Sequence, residues 1–168
     1  MKTLIAYYSR TGENYRNGAL CILNTGNTKI IADKIYENVD ADLFEIQQES
    51  PYSKSYMTCI EEAKKDLTSN ARPKLKRYLD TIDSYDMIYL AYPNYWGTMP
   101  MAVWTFLEHY DFRDKMIKPL CTHEGSGLGN SVDDIRKLCP QAKVLEALAI
   151  PGGQVNEADR RLKEWIKG

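Results

Sequence analysis

The chain has 168 residues, and 43% of them are hydrophobic, which is enough to bury one core of domain size. Its 22 basic and 23 acidic residues give a formal net charge of −1, so the composition provides no basic surface for nucleic acid or for an anionic membrane. No apolar run is long enough for a signal segment or a membrane-spanning helix. We therefore expect one domain, residues 1–168, in the cytoplasm.

Apolar and amphipathic runs alternate along the chain. The apolar runs are typical of strands and cover residues 2–8, 41–47, 86–93, 115–122 and 144–150. The amphipathic runs predict helices at 28–39, 53–70, 100–110, 130–138 and 156–167, the last with Asn156 as its predicted cap. Strands separated by helices pair in parallel through right-handed crossovers, so the pattern predicts a doubly wound α/β fold with helices on both faces of the sheet.

The first strand-to-helix connection is unusually long. A turn signal, "SRTG" (9–12), follows the first strand, and a second one, "TGNT" (25–28), precedes the helix, whereas such connections usually have roughly 2–6 residues. Hydroxyl and amide side chains before a helix N-terminus suit a phosphate, because the backbone N–H groups there carry partial positive charge. A capped helix after a glycine turn is the alternative. No lysine follows in Walker spacing, which argues against a nucleoside triphosphate.

Two further connections follow the third and fourth predicted strands. The segment "PNYWGTMP" (93–100) places two aromatic residues and a glycine between prolines, which suits a planar ring. Considered alone, a tryptophan at position 96 more often fills a gap between strand and helix. The segment "THEGSGLGNS" (122–131) exposes backbone groups at its glycines. Ligands of doubly wound sheets bind beyond the carboxyl ends of the strands, where the strand order reverses, so we expect the functional site at these connections.

The four cysteines are widely spaced and show neither Cys-x-x-Cys spacing nor a neighbouring histidine cluster. This distribution predicts reduced, mostly buried thiols, and neither a metal site nor a disulfide framework. Cys21 lies within the long first connection, where we expect it to pack as a small apolar residue.

Taken together, the three connections resemble those of the flavodoxin family over essentially the whole chain. In that family a loop of the form Ser/Thr-x-Thr-Gly-Asn-Thr holds the phosphate of FMN. The resemblance implies a five-stranded parallel sheet of order 2-1-3-4-5 with FMN at the point where the strand order reverses. It also implies that residues 13–26 are an insertion within the phosphate loop. Their segment "ALCIL" (19–23) is expected to pack against the protein, and a hairpin that does not touch the cofactor is the alternative.

The resemblance implies FMN contacts at three groups of residues. The phosphate group comprises Ser9, Arg10, Thr11, Asn27 and Thr28, although Arg10 could instead face solvent. The group along the flavin ring comprises Asn14, Tyr15, Pro93, Asn94, Tyr95, Trp96 and Gly97, with the Trp96-Gly97 backbone near flavin N5. The group at the polar edge of the ring comprises Thr122, His123, Gly125, Ser126 and Gly127.

Two functional classes follow from the resemblance. The favoured one is an electron-transfer protein that shuttles electrons between redox partner proteins. The alternative is an FMN-dependent NAD(P)H:quinone or acceptor oxidoreductase with a small-molecule acceptor. The loop after the fourth strand lacks the aromatic residue that many flavodoxins place there, and the net charge is less acidic than theirs. The sequence indicates no nucleic-acid or membrane partner, assigns no catalytic residue and leaves the oligomeric state open.

Overall fold

The computed structural model describes residues 1–168 and contains a parallel sheet, a separate hairpin and five α-helices. The elements in chain order are β1 (Thr3–Tyr7), β2 (Gly12–Arg16), β3 (Ala19–Leu23), α1 (Asn27–Tyr36), β4 (Asp42–Glu45), α2 (Tyr56–Thr68), β5 (Met87–Pro93), α3 (Met101–His109), β6 (Met116–His123), α4 (Ser131–Leu138), β7 (Lys143–Val144), β8 (Leu148–Pro151), a 3-10 helix (Gly152–Glu157) and α5 (Asp159–Lys167). No helix is long and apolar enough to cross a membrane.

The main sheet has the order β4-β1-β5-β6-β7, β8 also pairs with β6, and every pairing is parallel. With the predicted strands numbered in sequence, this is the order 2-1-3-4-5, so the predicted doubly wound fold is confirmed. The fifth predicted strand, 144–150, is divided into two short strands on β6. The chain leaves the sheet between them at Glu146, whose carbonyl accepts a hydrogen bond from the Trp165 indole at 2.8 Å.

Alternate residues of β1 enter two different apolar layers, because successive side chains of a strand point to opposite faces. Leu4 and Ala6 pack in the layer that contains α3 and α4, and Ile5 and Tyr7 pack in the layer that contains α1 and α5. Helices therefore cover both faces of the sheet. This arrangement leaves the carboxyl ends of β1, β5 and β6 side by side at one open edge.

The predicted helices all form, but the last one begins later than its sequence pattern indicates. Residues 152–157 form a 3-10 helix, and α5 begins at Asp159 with Ala158 as its N-cap and no side-chain cap hydrogen bond. The prediction that Asn156 caps this helix was therefore wrong, because burial of Val155 and Ala158 tightens the chain into the 3-10 turn first. Three of the four cysteines are buried, and all four are free thiols, as predicted.

The insertion in the first connection is a β-hairpin. Strands β2 and β3 pair in antiparallel fashion, and the turn residues Asn17 and Gly18 have φ values of 54° and 80°, as a type I′ turn requires. Within β3 only Leu23 is buried, while Leu20 and Ile22 are exposed. The expectation that residues 19–23 pack against the protein holds for Leu23 and was wrong for Ala19, Leu20 and Ile22, because a two-stranded sheet keeps much of its surface in solvent.

A candidate cofactor cleft at the carboxyl edge of the sheet

A cleft of about 330 Å³ lies beyond the carboxyl ends of β5 and β6. Its walls come from the hairpin, the start of α1, one face of α2 and the loops that follow β5 and β6. The lining residues are Asn14, Tyr15, Asn27, Tyr56, Cys59, Ile60, Ala63, Pro93, Asn94, Tyr95, Trp96, Thr122, His123, Glu124 and Ser126. The volume falls at the lower end of the range that small-molecule sites usually have.

Most of the residues that the sequence analysis selected meet in this cleft. Those on its lining are Asn14, Tyr15, Asn27, Pro93, Asn94, Tyr95, Trp96, Thr122, His123 and Ser126. Four others, Thr28, Gly97, Gly125 and Gly127, lie next to lining residues in the chain without lining the cleft themselves. Ser9, Arg10 and Thr11 line a second, more polar cavity that Ile22 also borders.

The two halves of the predicted phosphate loop meet in space despite the hairpin between them. A Cβ atom added to Gly26 would lie 2.5 Å from the Arg10 carbonyl oxygen and would also collide with the Ser9 hydroxyl. The φ of Gly26, −65°, is open to any residue. Glycine is therefore needed here for the close approach of the two segments and not for its backbone conformation. The hairpin thus leaves and re-enters the connection at almost one point, and the connection still delivers α1 to the edge of the sheet.

The N-terminus of α1 has unused hydrogen-bond donors. The N-cap Gly26 provides no side-chain cap, and the Ser9 hydroxyl accepts from the Lys29 N–H at 3.1 Å. The N–H groups of Asn27 and Thr28 donate to no group of the protein. Asn27 lines the cleft, so these donors lie at its end and suit an anionic group such as a phosphate.

A buried pair of hydroxyls lies beside these donors. The Thr28 and Thr122 Oγ1 atoms are 2.9 Å apart, and both side chains are almost fully buried. Two hydroxyls that share one hydrogen bond use only one of their two protons. Because Thr122 lines the cleft, its proton is available to a ligand there when Thr28 is the donor within the pair.

The side chain of Arg10 forms hydrogen bonds to backbone carbonyls. Its guanidinium donates to the carbonyls of Glu13 and Ser53, both at 2.9 Å, and to that of Lys54 at 3.1 Å. These bonds connect the start of the hairpin to the segment before α2. The structure therefore places Arg10 neither in solvent nor at the end of α1, and gives it a role in positioning the cleft wall.

The loop after β5 contains a turn with unusual backbone geometry. Tyr95 and Thr98 are bridged, and the two residues between them, Trp96 and Gly97, have φ values of 58° and 87°. A left-handed conformation costs a non-glycine residue roughly 1–2 kcal/mol. Strain of this kind concentrates at functional sites. The turn presents a Trp96 side chain that is 48% exposed and whose Nε1 donates to the Ile60 carbonyl at 2.7 Å.

Asn94 connects this turn to the loop after β6. Its side chain donates to the Gly127 carbonyl at 2.9 Å and accepts from the Gly97 N–H at 2.8 Å. The Gly97 carbonyl in turn accepts from the Asn130 N–H at 2.7 Å. The Gly97 carbonyl therefore already accepts one hydrogen bond within the protein, whereas the Trp96 carbonyl accepts none.

Sequence reasoning did not identify the wall that α2 contributes. Tyr56, Cys59, Ile60 and Ala63 share one face of the helix and line the cleft. The Tyr56 ring stacks on Tyr15 of the hairpin, with centroids 5.9 Å apart and planes 18° apart. The spacing of the four α2 residues along the chain is that of any amphipathic helix, so no chemical signal distinguished them in the sequence.

Burial shifts the pKa values of three titratable groups of the cleft. Partial burial, together with Arg161, lowers the pKa of His123, whose Nδ1 accepts from the Gly125 N–H at 2.9 Å, so the neutral ring carries its proton on Nε2. Partial burial raises the pKa of Glu124, which accepts from the Asn17 N–H at 3.0 Å. Burial also raises the pKa of the Cys59 thiol. The cleft thus combines aromatic and polar side chains with the single carboxyl group of Glu124, and its aromatic walls suit a planar heterocycle.

The family model described as Flavodoxin matches residues 19–168. The chain belongs to the flavodoxin family. The matched range begins inside the hairpin, so β1 and the Ser9–Gly12 segment lie outside it. No curated protein matches the chain at a significant level.

Solved flavoproteins share the fold of this family member over nearly its full length. A candidate flavoprotein from Bacteroides uniformis superposes with a TM-score of 0.80 at 26% identity, and the alignment covers 99% of this chain and 98% of that one. One from Bacteroides eggerthii gives a TM-score of 0.79 at 24% identity, with 99% and 96% covered. A flavoprotein from Lactobacillus acidophilus, solved in complex with FMN, gives 0.67 at 22% identity, with 98% of both chains covered.

Proposed function

We propose that this chain binds FMN in the cleft and transfers electrons between redox partner proteins. The observation that carries the proposal is that an aromatic cleft lies next to the unused N–H donors at the start of α1. Membership of the flavodoxin family supports FMN as the cofactor. The Lactobacillus acidophilus relative in complex with FMN supports it further.

The residues of the cleft divide the binding of FMN between them. The N–H groups of Asn27 and Thr28 bind the phosphate at the end of the helix, where the helix dipole favours negative charge. The spare proton of the hydroxyl pair donates to an oxygen of the ribityl phosphate. Trp96 packs against the ring, and its free carbonyl accepts from a ring N–H. When bound, FMN supplies one-electron and two-electron redox chemistry.

Two features favour an electron carrier over an enzyme. The histidine of the cleft is neutral and its Nδ1 accepts from a backbone N–H, so this nitrogen is not a free base. Trp96 is half exposed at the mouth, so electrons can pass to a partner that docks there.

The experiment is reconstitution of the purified protein with FMN, followed by assays for NAD(P)H oxidation with a quinone in the absence of any partner protein. We expect stoichiometric FMN, an absorbance spectrum of bound flavin and only slow NAD(P)H oxidation. Fast turnover would contradict the carrier role and favour the oxidoreductase. Failure to retain FMN, or a preference for FAD, would contradict the cofactor assignment.

A matched pair of variants tests the location of the site. Gly26→Ala should push Ser9 and Arg10 away from the start of α1 and weaken FMN binding. Asn24→Ala changes an exposed residue two positions earlier and should leave binding unchanged. Equal FMN affinity of the two variants, measured by quenching of flavin fluorescence, would place the phosphate elsewhere.

A further inference from the structure

The β3 strand has an edge with no partner. It pairs only with β2, and the hydrogen-bonded pair next to the two-residue turn is Arg16 with Ala19. Because hydrogen-bonded and non-hydrogen-bonded pairs alternate along an antiparallel ladder, the N–H and C=O groups of Leu20 and Ile22 point away from β2. No group of the protein bonds to them.

The opposite edge of the hairpin is protected in a way that the β3 edge is not. On β2 the outward carbonyl of Glu13 accepts from Arg10 at 2.9 Å, and the outward N–H of Tyr15 donates to the Asn14 side chain at 3.0 Å. Soluble proteins usually protect an edge strand with a charge, a proline or a bulge. The β3 sequence "ALCIL" contains no proline or charged residue, and its outward-facing residues are both exposed.

The chemistry of this edge matches a second copy of the same edge. Every residue from Asn17 to Thr28 is uncharged, so two such segments can approach in antiparallel fashion without bringing like charges together. Docking of a redox partner through this edge would instead call for charged groups that steer the encounter. The Leu20 side chain is 52% exposed and that of Ile22 is 71% exposed, and both would be covered in such a pair.

We propose that the chain forms a two-fold symmetric dimer by antiparallel pairing of β3 with β3 of a second copy, with the axis at Cys21. This register places Leu20 opposite Ile22 of the second copy and pairs all the outward backbone groups. An axis at Leu20 would put Ile22 opposite the turn residue Gly18, and an axis at Ile22 would put Leu20 opposite Asn24, beyond the strand. The product is a continuous four-stranded antiparallel sheet, β2-β3-β3-β2.

The register makes a specific prediction about cysteine chemistry. The two Cys21 residues become a non-hydrogen-bonded pair, whose Cα atoms lie about 4.5 Å apart in antiparallel sheets. That spacing lies within the disulfide range of roughly 4.4–6.8 Å. Cys59, Cys121 and Cys139 are buried, so Cys21 is the one thiol open to cross-linking in the folded protein.

The first measurement is sedimentation equilibrium of the full chain from micromolar to millimolar concentration. We expect dimers for the wild type, and monomers for Ile22→Lys and for Leu20→Glu, which add charge to the edge. Met57→Lys is the matched control, because it adds the same charge to another exposed apolar residue, and it should remain dimeric. Circular dichroism of each variant verifies that the loss of dimer is not unfolding.

The second measurement is cross-linking with diamide, which takes up the two electrons and two protons released when two thiols join. Wild-type protein should give a covalent dimer, and Cys21→Ser should give none. A wild type that stays monomeric at every concentration, or edge variants that remain dimeric, would overturn the proposal. A dimer whose Cys21 residues do not cross-link would overturn the two-fold register. None of these outcomes depends on FMN binding.

Discussion

Replacement of Thr28 by valine should destabilise the apoprotein through its partner, Thr122. Valine keeps the shape of threonine and removes the hydroxyl, which leaves the other buried hydroxyl without its partner 2.9 Å away. An unpaired buried polar group costs about 1–3 kcal/mol. Thr122→Val should have a similar effect. The double variant should lie close to the wild type, because removing both partners leaves no unpaired group.

The assay is urea unfolding of the four apoproteins, followed by circular dichroism and extrapolated to water. The expected coupling free energy between the two substitutions is about 1 kcal/mol or more. Penalties that add to within about 0.3–0.5 kcal/mol would show that the two hydroxyls do not interact, and the reasoning would be wrong.

The same variants separate stability from cofactor binding. If the spare proton of the pair donates to FMN, every variant that lacks a hydroxyl should bind FMN about tenfold more weakly or worse, since a charge-assisted hydrogen bond contributes about 1.5–3 kcal/mol. Thr11→Val is a fitting control, because Thr11 lines the second cavity and its substitution should leave the affinity for FMN unchanged. Unchanged affinity in the Thr28 and Thr122 variants would mean that the pair only joins α1 to β6.

Three further predictions concern the loops around the cleft. Gly97→Ala should lower the free energy of unfolding by about 1–2 kcal/mol through its φ of 87°, with no steric clash, and a urea midpoint equal to that of the wild type would contradict this. Arg10→Lys should loosen the segment before α2, because the single nitrogen of an ammonium cannot occupy the positions of both Nε and Nη2, from which Arg10 bonds the three carbonyls. Faster amide hydrogen exchange in the first turn of α2 would verify it. The folded state lowers the pKa of His123, so the stability that this residue contributes is complete above its ordinary pKa of 6.5. It is lost as the pH falls from 6.5 through the lower pKa of the folded state, where the unfolded chain binds the proton more readily. His123→Gln should flatten that part of the stability profile, and an unchanged profile would refute it.

Much of the fold was open to prediction because it depends on local pattern. Apolar runs separated by amphipathic runs identify strands and helices, and the handedness of the crossovers then restricts the order of the sheet. The three connections with unusual residues were also visible, and a sheet of this order brings them to one edge. The pair of turn signals at Thr11-Gly12 and Thr25-Gly26 located the hairpin, whose two ends meet at Gly26.

The tertiary structure decided how the site is built, because its decisive contacts join segments far apart in the chain. Arg10 reaches the carbonyl of Ser53, and the Trp96 indole reaches that of Ile60, and neither choice leaves a trace in local spacing. The carbonyl of Gly97 turns toward Asn130 for the same reason, and the carbonyl of its neighbour Trp96 is left without a partner in the protein. Periodicity records which face of a segment is apolar, but the partner of each polar group is determined only when the segments pack.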